Sequence, residues 1–456
     1  MNIGKKDILW GYLSMALVQG INILLLPIIL KYLNSTELGL WYTFTSLYGL
    51  AMLIDFGFQT IISRNVSYLW AGANIIEATG FDNKQKSSAF NLKYFIKVLS
   101  TVKFIYFTMG AIILLVLITV GTTYVFKISY GEIDIKVAIL AYLMYMISIV
   151  LNITFSYWNS ILKGIGAIRR YNQILIVTKT VQLMASIFFL AMGYGLIGVS
   201  AAYLLSVIVN RILQSVAYYS FSENTKKTKG KIVIEYNKNI FKSILPNTIK
   251  TGVLSLANYL IVNFPIILCS YYLSLDISGR FGLFNQILTL ILTLSNSYFN
   301  TYLSKFNYLR VKKEYDDLFN LFRRSITTNY LFNLFAMIFL VLFGNNILVL
   351  IGTDYKLLGI STMIITISYR FLFNNQVLFT SFLSTKNKIP HYKHFIVSAV
   401  IIVIIQVILL EFWMANLYTL LLPILIVQLI FNNWYWIVYV IKDMRSDRNE
   451  KVINNE

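Results

Sequence analysis

The sequence predicts an all-α polytopic membrane protein with twelve transmembrane helices in two parallel, pseudo-repeated six-helix bundles. Three observations predict it. Of 456 residues, 57% are hydrophobic and only 13% are charged, against roughly a quarter charged in a soluble domain. Apolar runs of about 20 residues recur along the whole length, each enough to cross ~30 Å of hydrocarbon at ~1.5 Å per residue. Short signatures in the first half return in the second, in register with the spans.

The first run, 8–30, has no small-residue cleavage site before the next one, so it reads as a retained helix rather than a signal peptide. The others follow at 40–63, 101–126, 137–160, 171–193, 196–219, 246–270, 281–303, 326–343, 358–382, 395–414 and 418–441. Connections are short or moderate, and none is long enough for a separate soluble domain. Lys and Arg crowd alternate loops, at 64–100, 161–170, 220–245, 304–325 and 383–394. The intervening loops carry only Lys31, Lys127, Lys136, Arg280 and Lys356. By the positive-inside rule both termini are cytoplasmic. This topology also accounts for the net charge of +20, through attraction to anionic lipid heads. Nucleic acid need not be invoked, and Lys226, Lys227, Lys229 and Lys231 read as a solvated linker.

The repeat rests on two matches. PIIL occurs at 27–30, late in the first span, and again at 265–268, late in the seventh. LKGIGAIRRY (162–171) follows the fourth span and LSTKNKIPHY (383–392) follows the tenth, with Leu, Ile and Tyr in register. Six spans separate each pair, so the halves share one orientation, as in transporters built from parallel repeats. The expected division is a bundle at 1–219, a cytoplasmic linker at 220–245, a bundle at 246–441 and a cytoplasmic tail at 442–456.

Polar stripes mark helix faces turned from lipid. The eighth span carries Asn285, Thr289, Thr293, Asn296 and Asn300 at helical spacing, and the seventh carries Asn247, Thr251, Ser255 and Asn258. The second places Trp41, Phe44, Tyr48, Asp55 and Gln59 on roughly one side; Ser14, Gln19 and Asn22 mark the first. Interhelical hydrogen bonding explains one such stripe; two full-length stripes point to a hydrated cavity. Arg370 lies about twelve residues from either end of its span, or ~18 Å deep. Unpaired, it costs at least ~2.5–3.5 kcal/mol, so it faces a cavity or a partner. Arg211 and Lys179 lie nearer the inner ends of their spans, Lys250 a turn inside, and Arg64 at the end of the second span. Asp55 is either a charge partner for one of these cations or a coupling-ion site. The excess of cations suits an anionic substrate, with phosphate the first candidate because arginine offers it a two-pronged donor fork. The 16% of aromatic residues are mainly core or interface belt, with some able to stack on sugar faces.

Cys269 is the only cysteine, which excludes an internal disulfide and a cysteine metal cluster. His391 and His394 are the only histidines and read as a solvated pair, since metal sites take three or four ligands. No metal is expected.

The segment KYLNSTELGLWYTFTSLYGLAMLIDFGFQTIISRNVSYLWAGA (31–73) resembles the start of an O-antigen flippase, through ELGLW at 37–41, DFG at 55–57 and Arg64. KGIGAIRR at 163–170 fits too. Such flippases form the polysaccharide transport branch of the multidrug/oligosaccharidyl-lipid/polysaccharide exporter superfamily. The resemblance implies a V-shaped pair of bundles whose central cavity is lined by spans 1, 2, 7 and 8. It implies a bacterial cytoplasmic (inner) membrane location. Its substrate class is an oligosaccharide repeat unit on undecaprenyl pyrophosphate, moved from the inner to the outer leaflet for lipopolysaccharide O-antigen or a similar glycan. It also implies membrane lipids, a polysaccharide polymerase and a chain-length regulator as partners, and no cofactor beyond H+ or Na+ for coupling. The first span lacks the acidic residue of the drug-exporting branch, which puts a shared coupling mechanism in doubt.

Because flipping makes no bond, no catalytic residue is expected and the chain reads as a non-enzyme. A membrane glycosyltransferase or polymerase would need a sizeable outer loop with catalytic residues. The longest here is 344–357, and Glu132-Ile133-Asp134 is the sole ExD-like element outside. There is no phosphate-binding glycine loop. A multidrug exporter of cationic drugs fits poorly with cations in the spans.

Overall fold

A computed structural model describes residues 5–70, 72, 76–77, 80–81, 90–311, 314–350, 352–353, 355–385 and 391–453. The side chains of 246–251 lie outside the described set. Eighteen α-helices run in order: α1 Lys5–Tyr32, α2 Ser35–Met52, α3 Phe58–Trp70, α4 Leu92–Val116, α5 Thr122–Ser129, α6 Ile135–Thr154, α7 Tyr157–Gly164, α8 Ile168–Ala191, α9 Gly195–Tyr219, α10 Glu223–Lys226, α11 Lys238–Val262, α12 Phe264–Tyr272, α13 Leu275–Val311, α14 Tyr315–Leu350, α15 Ile360–Ser384, α16 Tyr392–Phe412, α17 Leu417–Val427 and α18 Asn433–Ile453. One small antiparallel pair, β1 Ile76–Glu77 with β2 Gly80–Phe81, follows α3.

The protein is an all-helical, multi-pass membrane protein. Among the described residues nine helical stretches are long and apolar enough to cross a membrane, and the bent pair Ser35–Asp55 with Phe58–Trp70 makes up to ten. The two other predicted spans are also helical, as α1 and α15. Helix α15 falls short on apolarity because its buried face carries Thr362, Thr366, Arg370, Asn374, Asn375, Gln376 and Thr380. The chain divides into two compact units, Met1–Ser255 and Leu256–Glu456. The division falls inside α11, beyond the loop at 220–245.

Many predicted spans are broken rather than straight. Helix α2 starts on a capping box: Asn34 Oδ1 accepts from the Glu37 amide at 2.8 Å, and Glu37 Oε2 accepts from the Asn34 amide at 3.1 Å. It ends in a 3-10 turn at Leu53–Asp55, where Phe56 (φ 43°) and Gly57 (φ 80°) take left-handed conformations and α3 departs at 44°. Asp55 Oδ2 accepts from the Gln59 amide at 3.3 Å, capping α3. The displaced Phe56 ring lies on Gly252, where a Cβ would come 1.8 Å from Cδ1. A wide π turn at Leu117–Gly121 separates α4 from α5, and there the Leu117 carbonyl accepts both from the Thr122 amide and from the Tyr142 hydroxyl at 2.7 Å.

The PIIL prolines differ in setting. Pro27 lies within α1, whereas Pro265 opens α12 just after a break at Asn263. There proline costs little, since a first-turn N–H has no helical partner.

The first unit packs α8 against α9 and α1, α6 against α9 and α4, and α3 against α7. Its aromatic centre stacks Tyr145 on Tyr203 at 4.9 Å, with Trp41 edge-on to Tyr145 at 5.4 Å. In the second unit Phe299, Phe306, Phe322, Phe379, Phe382 and Trp436 build an aromatic core among α13, α14, α15 and α18. Arg310 caps it. Its guanidinium lies 5.0 Å above the Phe382 ring and pairs with Asp447 at 2.9 Å and Asp443 at 3.9 Å.

The expectation of two solvated histidines is corrected for His391. That residue is only 6% exposed, with its ring 5.7 Å from Trp436 and 6.3 Å from Phe395. A basic loop did not reveal the aromatic pocket that α16 and α18 close around it. His394 is exposed, though its ring stacks on Tyr435 at 6.0 Å.

Two outcomes follow. Arg310→Ala removes the guanidinium that bridges the buried Asp447 and the half-buried Asp443 over the aromatic core and should cost about 3 kcal/mol, read as a lower Tm in detergent; an unchanged Tm would remove the clamp. Burial pushes the His391 imidazole down from 6.5 to about 4. The unfolded chain therefore takes up this proton first as pH falls, so stability is whole above pH ~6.5 and is lost toward pH ~4, on the order of 2 kcal/mol by pH 5. The Tm of the wild type should drop further than that of His391→Phe between pH 7 and 5. Parallel pH profiles would count against the buried neutral ring.

Candidate functional site

The predicted site residues fall into both units, and each group is built by its own helices. In the first unit Arg211, on α9, lies beside the break between α6 and α7. Its Nη2 donates to the Asn152 carbonyl at 2.9 Å and to the Asn152 side chain. Its Nη1 reaches Gln214 Oε1 at 3.0 Å, Asn159 Oδ1 at 3.3 Å and the Phe155 carbonyl at 3.4 Å. The Asn152 and Phe155 carbonyls lie at the C-terminal end of α6, where a cation suits them, and the Phe155 carbonyl also accepts from the Trp158 amide at 3.3 Å. Asn152 Nδ2 donates onward to the Tyr48 hydroxyl at 3.2 Å, so Tyr48 and Arg211 belong to one cluster. Every acceptor on Arg211 is neutral, and its Nε is buried without a partner.

Asp55 is not part of that cluster. Its Oδ1 accepts from the Tyr106 hydroxyl at 2.6 Å, and no cation of its own unit pairs with it among the described residues. Its partner there is a phenol rather than a cation, because the break aims the carboxylate at α4. Lys179 donates to Gln182 Oε1 at 2.9 Å, one turn along α8. Arg64 is exposed on α3. The side chains of Asn247, Lys250 and Thr251 lie outside the described residues. Ser255 and Asn258 are exposed on α11.

In the second unit Arg370 is 4% exposed. Its Nη2 donates to Thr289 Oγ1 at 2.7 Å, its Nε is buried without a partner, and no carboxylate pairs with it among the described residues. Thr289, a member of the expected stripe, is thus joined to the expected cation Arg370. The remainder of the stripe separates by role. Asn285 is 4% exposed and donates to the Val262 carbonyl at 3.2 Å, closing the end of α11 where that helix breaks. It is a buried cap rather than an open wall. Asn296 enters a ring of amides that binds α13, α14 and α15. Asn296 donates to Asn374 at 2.7 Å, Asn374 to Asn329 at 3.4 Å, and Asn329 back to Asn296 at 2.8 Å. Here the interhelical hydrogen-bond reading holds. Thr289 and Asn300 are exposed and Thr293 is half-buried.

Sequence reasoning missed Asn152, Asn159, Gln214, Asn329, Asn374 and Tyr106. The signal was present in part: Asn152 and Asn159 stand seven apart, and Asn374, Asn375 and Gln376 form a run one turn beyond Arg370. Among the described residues no group of three His, Cys, Asp or Glu converges for a metal.

No protein-family model matches the sequence, and no curated protein matches it. Solved structures do. One, described as the inward-facing conformation of a multidrug resistance MATE family transporter of the MOP superfamily, is 14% identical, with TM-score 0.72 over 98% of this chain and 99% of that one. An outward-facing multidrug resistance MATE transporter is 15% identical, with TM-score 0.56 over 98% and 97%. A MOP superfamily transporter from Pyrococcus furiosus, titled for a binding pocket of reverse polarity that suggests a different function, is 14% identical, with TM-score 0.53 over 98% and 97%. The likeness covers essentially the whole chain and establishes a shared fold.

Cysteine labelling separates the stripe's roles. In a Cys269→Ser background, Thr289→Cys, Thr293→Cys and Asn300→Cys should react with a charged, water-soluble thiol reagent, while Asn285→Cys and Leu288→Cys stay unreactive. Silence at all five would make the stripe a packing surface.

Proposed function

We propose that the protein is a flippase. It carries a lipid-linked oligosaccharide, anionic through its pyrophosphate, from the inner to the outer leaflet of a bacterial cytoplasmic membrane. The shared fold of MOP-superfamily transporters supports a membrane exporter. The observation that carries the anionic substrate is Arg370: an almost fully buried guanidinium held by one neutral hydroxyl, with donors to spare. A cation so placed is costly unless an anion reaches it. The pocket of reverse polarity in the Pyrococcus furiosus neighbour supports reading this charge as a departure from drug export.

On this reading Arg370 grips the pyrophosphate. Sugar and phosphate stay out of hydrocarbon while the polyprenyl tail remains in lipid. Alternating access moves the head group, with both termini in the cytoplasm. Asp55, held by Tyr106, is the group proposed to couple a proton or Na+ to the cycle.

Arg370→Ala should cut export of lipid-linked repeat units by about ten- to a hundred-fold, with protein abundance near normal and lipid-linked units accumulating on the inner leaflet. Arg370→Lys should keep part of the activity, because the charge survives while the fork is lost. Normal export by Arg370→Ala would end the proposed role. Loss of the protein itself from the membrane would make Arg370 a packing residue.

A further inference from the structure

The second unit has a groove on its outer surface that the transport reading does not use. One wall is α16, with Lys393, His394, Val397, Ser398 and Ile401. The other is the end of α17 and the π turn at Gln428–Asn432, with Val427, Ile430 and Phe431. The groove encloses about 490 Å³, within the roughly 300–1,000 Å³ range of small-molecule sites. The turn shapes it. A π turn swings side chains off the regular helical face, and Ser398 Oγ donates to Asn432 Oδ1 at 3.0 Å, holding the two walls at fixed separation.

Charge and depth vary along the groove in a definite order. Lys393 sits in the first turn of α16, where interface residues belong, and the exposed His394 ring beside it stacks on Tyr435. Lys393 pairs with no carboxylate among the described residues; its ammonium lies 6.0 Å from the Tyr392 ring. One and two turns below come Val397 and Ile401, ~6 and ~12 Å deeper, exposed at 55% and 45%. Ile430, opposite them, is 67% exposed. The groove therefore has a cation at headgroup level and bare hydrocarbon-compatible walls beneath.

We infer that this groove binds an anionic phospholipid of the leaflet facing the basic loops, its phosphate at Lys393 and one acyl chain between α16 and the π turn. A basic pocket between membrane helices on the cytoplasmic side recognises anionic head groups by charge. A zwitterionic lipid would fill the same apolar walls but gain less from an unpaired ammonium. The site is separate from Arg370, so its fate does not depend on the transported substrate.

The test uses the full chain, purified and equilibrated with equal amounts of phosphatidylglycerol and phosphatidylcholine, with bound lipid read by native mass spectrometry. The wild type should retain phosphatidylglycerol preferentially. Lys393→Gln should lower that retention about five-fold and leave phosphatidylcholine unchanged. Lys356→Gln, a control for overall charge, should change neither. Ile401→Trp, which fills the groove from an exposed position, should lower retention of both lipids. A phosphatidylglycerol with a photoreactive mid-chain group should crosslink within 397–401 and 427–431. Equal retention of the two lipids by the wild type, no loss in Lys393→Gln, an equal loss in Lys356→Gln, or crosslinks spread evenly around α16 would each overturn the inference. Displacement of phosphatidylglycerol by added undecaprenyl phosphate at equal concentration would also overturn it, by assigning the groove to a polyprenyl lipid.

Discussion

A membrane interior offers no water to a peptide group that leaves its helix. Several irregular points among the described residues answer to that constraint. At the π turn in the third span the Leu117 carbonyl accepts from the Thr122 amide, and the Tyr142 hydroxyl adds a further donor. At the break between α6 and α7 Arg211 donates to the Asn152 carbonyl and adds a second donor to the Phe155 carbonyl, which also accepts from the Trp158 amide. The break after α11 leaves the Val262 carbonyl, met by Asn285. At the Asp55–Gly57 break the need is inverted: the first amides of α3 require an acceptor, and Asp55 provides it. The polar residues of the spans are thus, in large part, the partners of the places where the spans bend.

That accounting separates the two deep arginines. Arg211 is engaged by helix-end carbonyls and amide side chains; most of its donors serve the break beside it. Arg370 has no such break to serve, because α15 runs uninterrupted from Ile360 to Ser384. Its neighbours toward the end of the helix, Asn374 and Asn375, are committed elsewhere. Asn374 belongs to the three-membered amide ring, and Asn375 links Tyr330 to Asn433. The amides lock α13, α14, α15 and α18 together below the arginine, and the aromatic core with its Arg310 clamp continues the lock to the helix ends. Arg370 is left as a charged group on a rigid frame.

The residues that carry the family resemblance acquire physical meanings. The Asn34–Glu37 stretch is a capping box that starts α2. The DFG at 55–57 is a helix break whose aspartate caps the next segment and whose phenylalanine is forced outward onto Gly252. These are instructions for bending a membrane helix at a chosen point.

Much of the architecture was legible in the chain. The class, the helical nature of the spans and the burial of Arg370 follow from local quantities: run length, hydropathy and position within a run. Lipid imposes these residue by residue, so they survive without knowledge of neighbours. The partner of each polar residue was not legible. Asn285 and Asn296 stand on one stripe of one helix, yet one closes a carbonyl of a neighbouring segment and the other joins a ring across three helices. Asp55 was weighed as a partner for a cation and is held by a tyrosine of α4. His391 read as solvated and lies in an aromatic pocket. Periodicity reports which face a side chain leaves its helix by, and no more. What it meets there depends on where other helices break and how they pack, which only the tertiary structure decides.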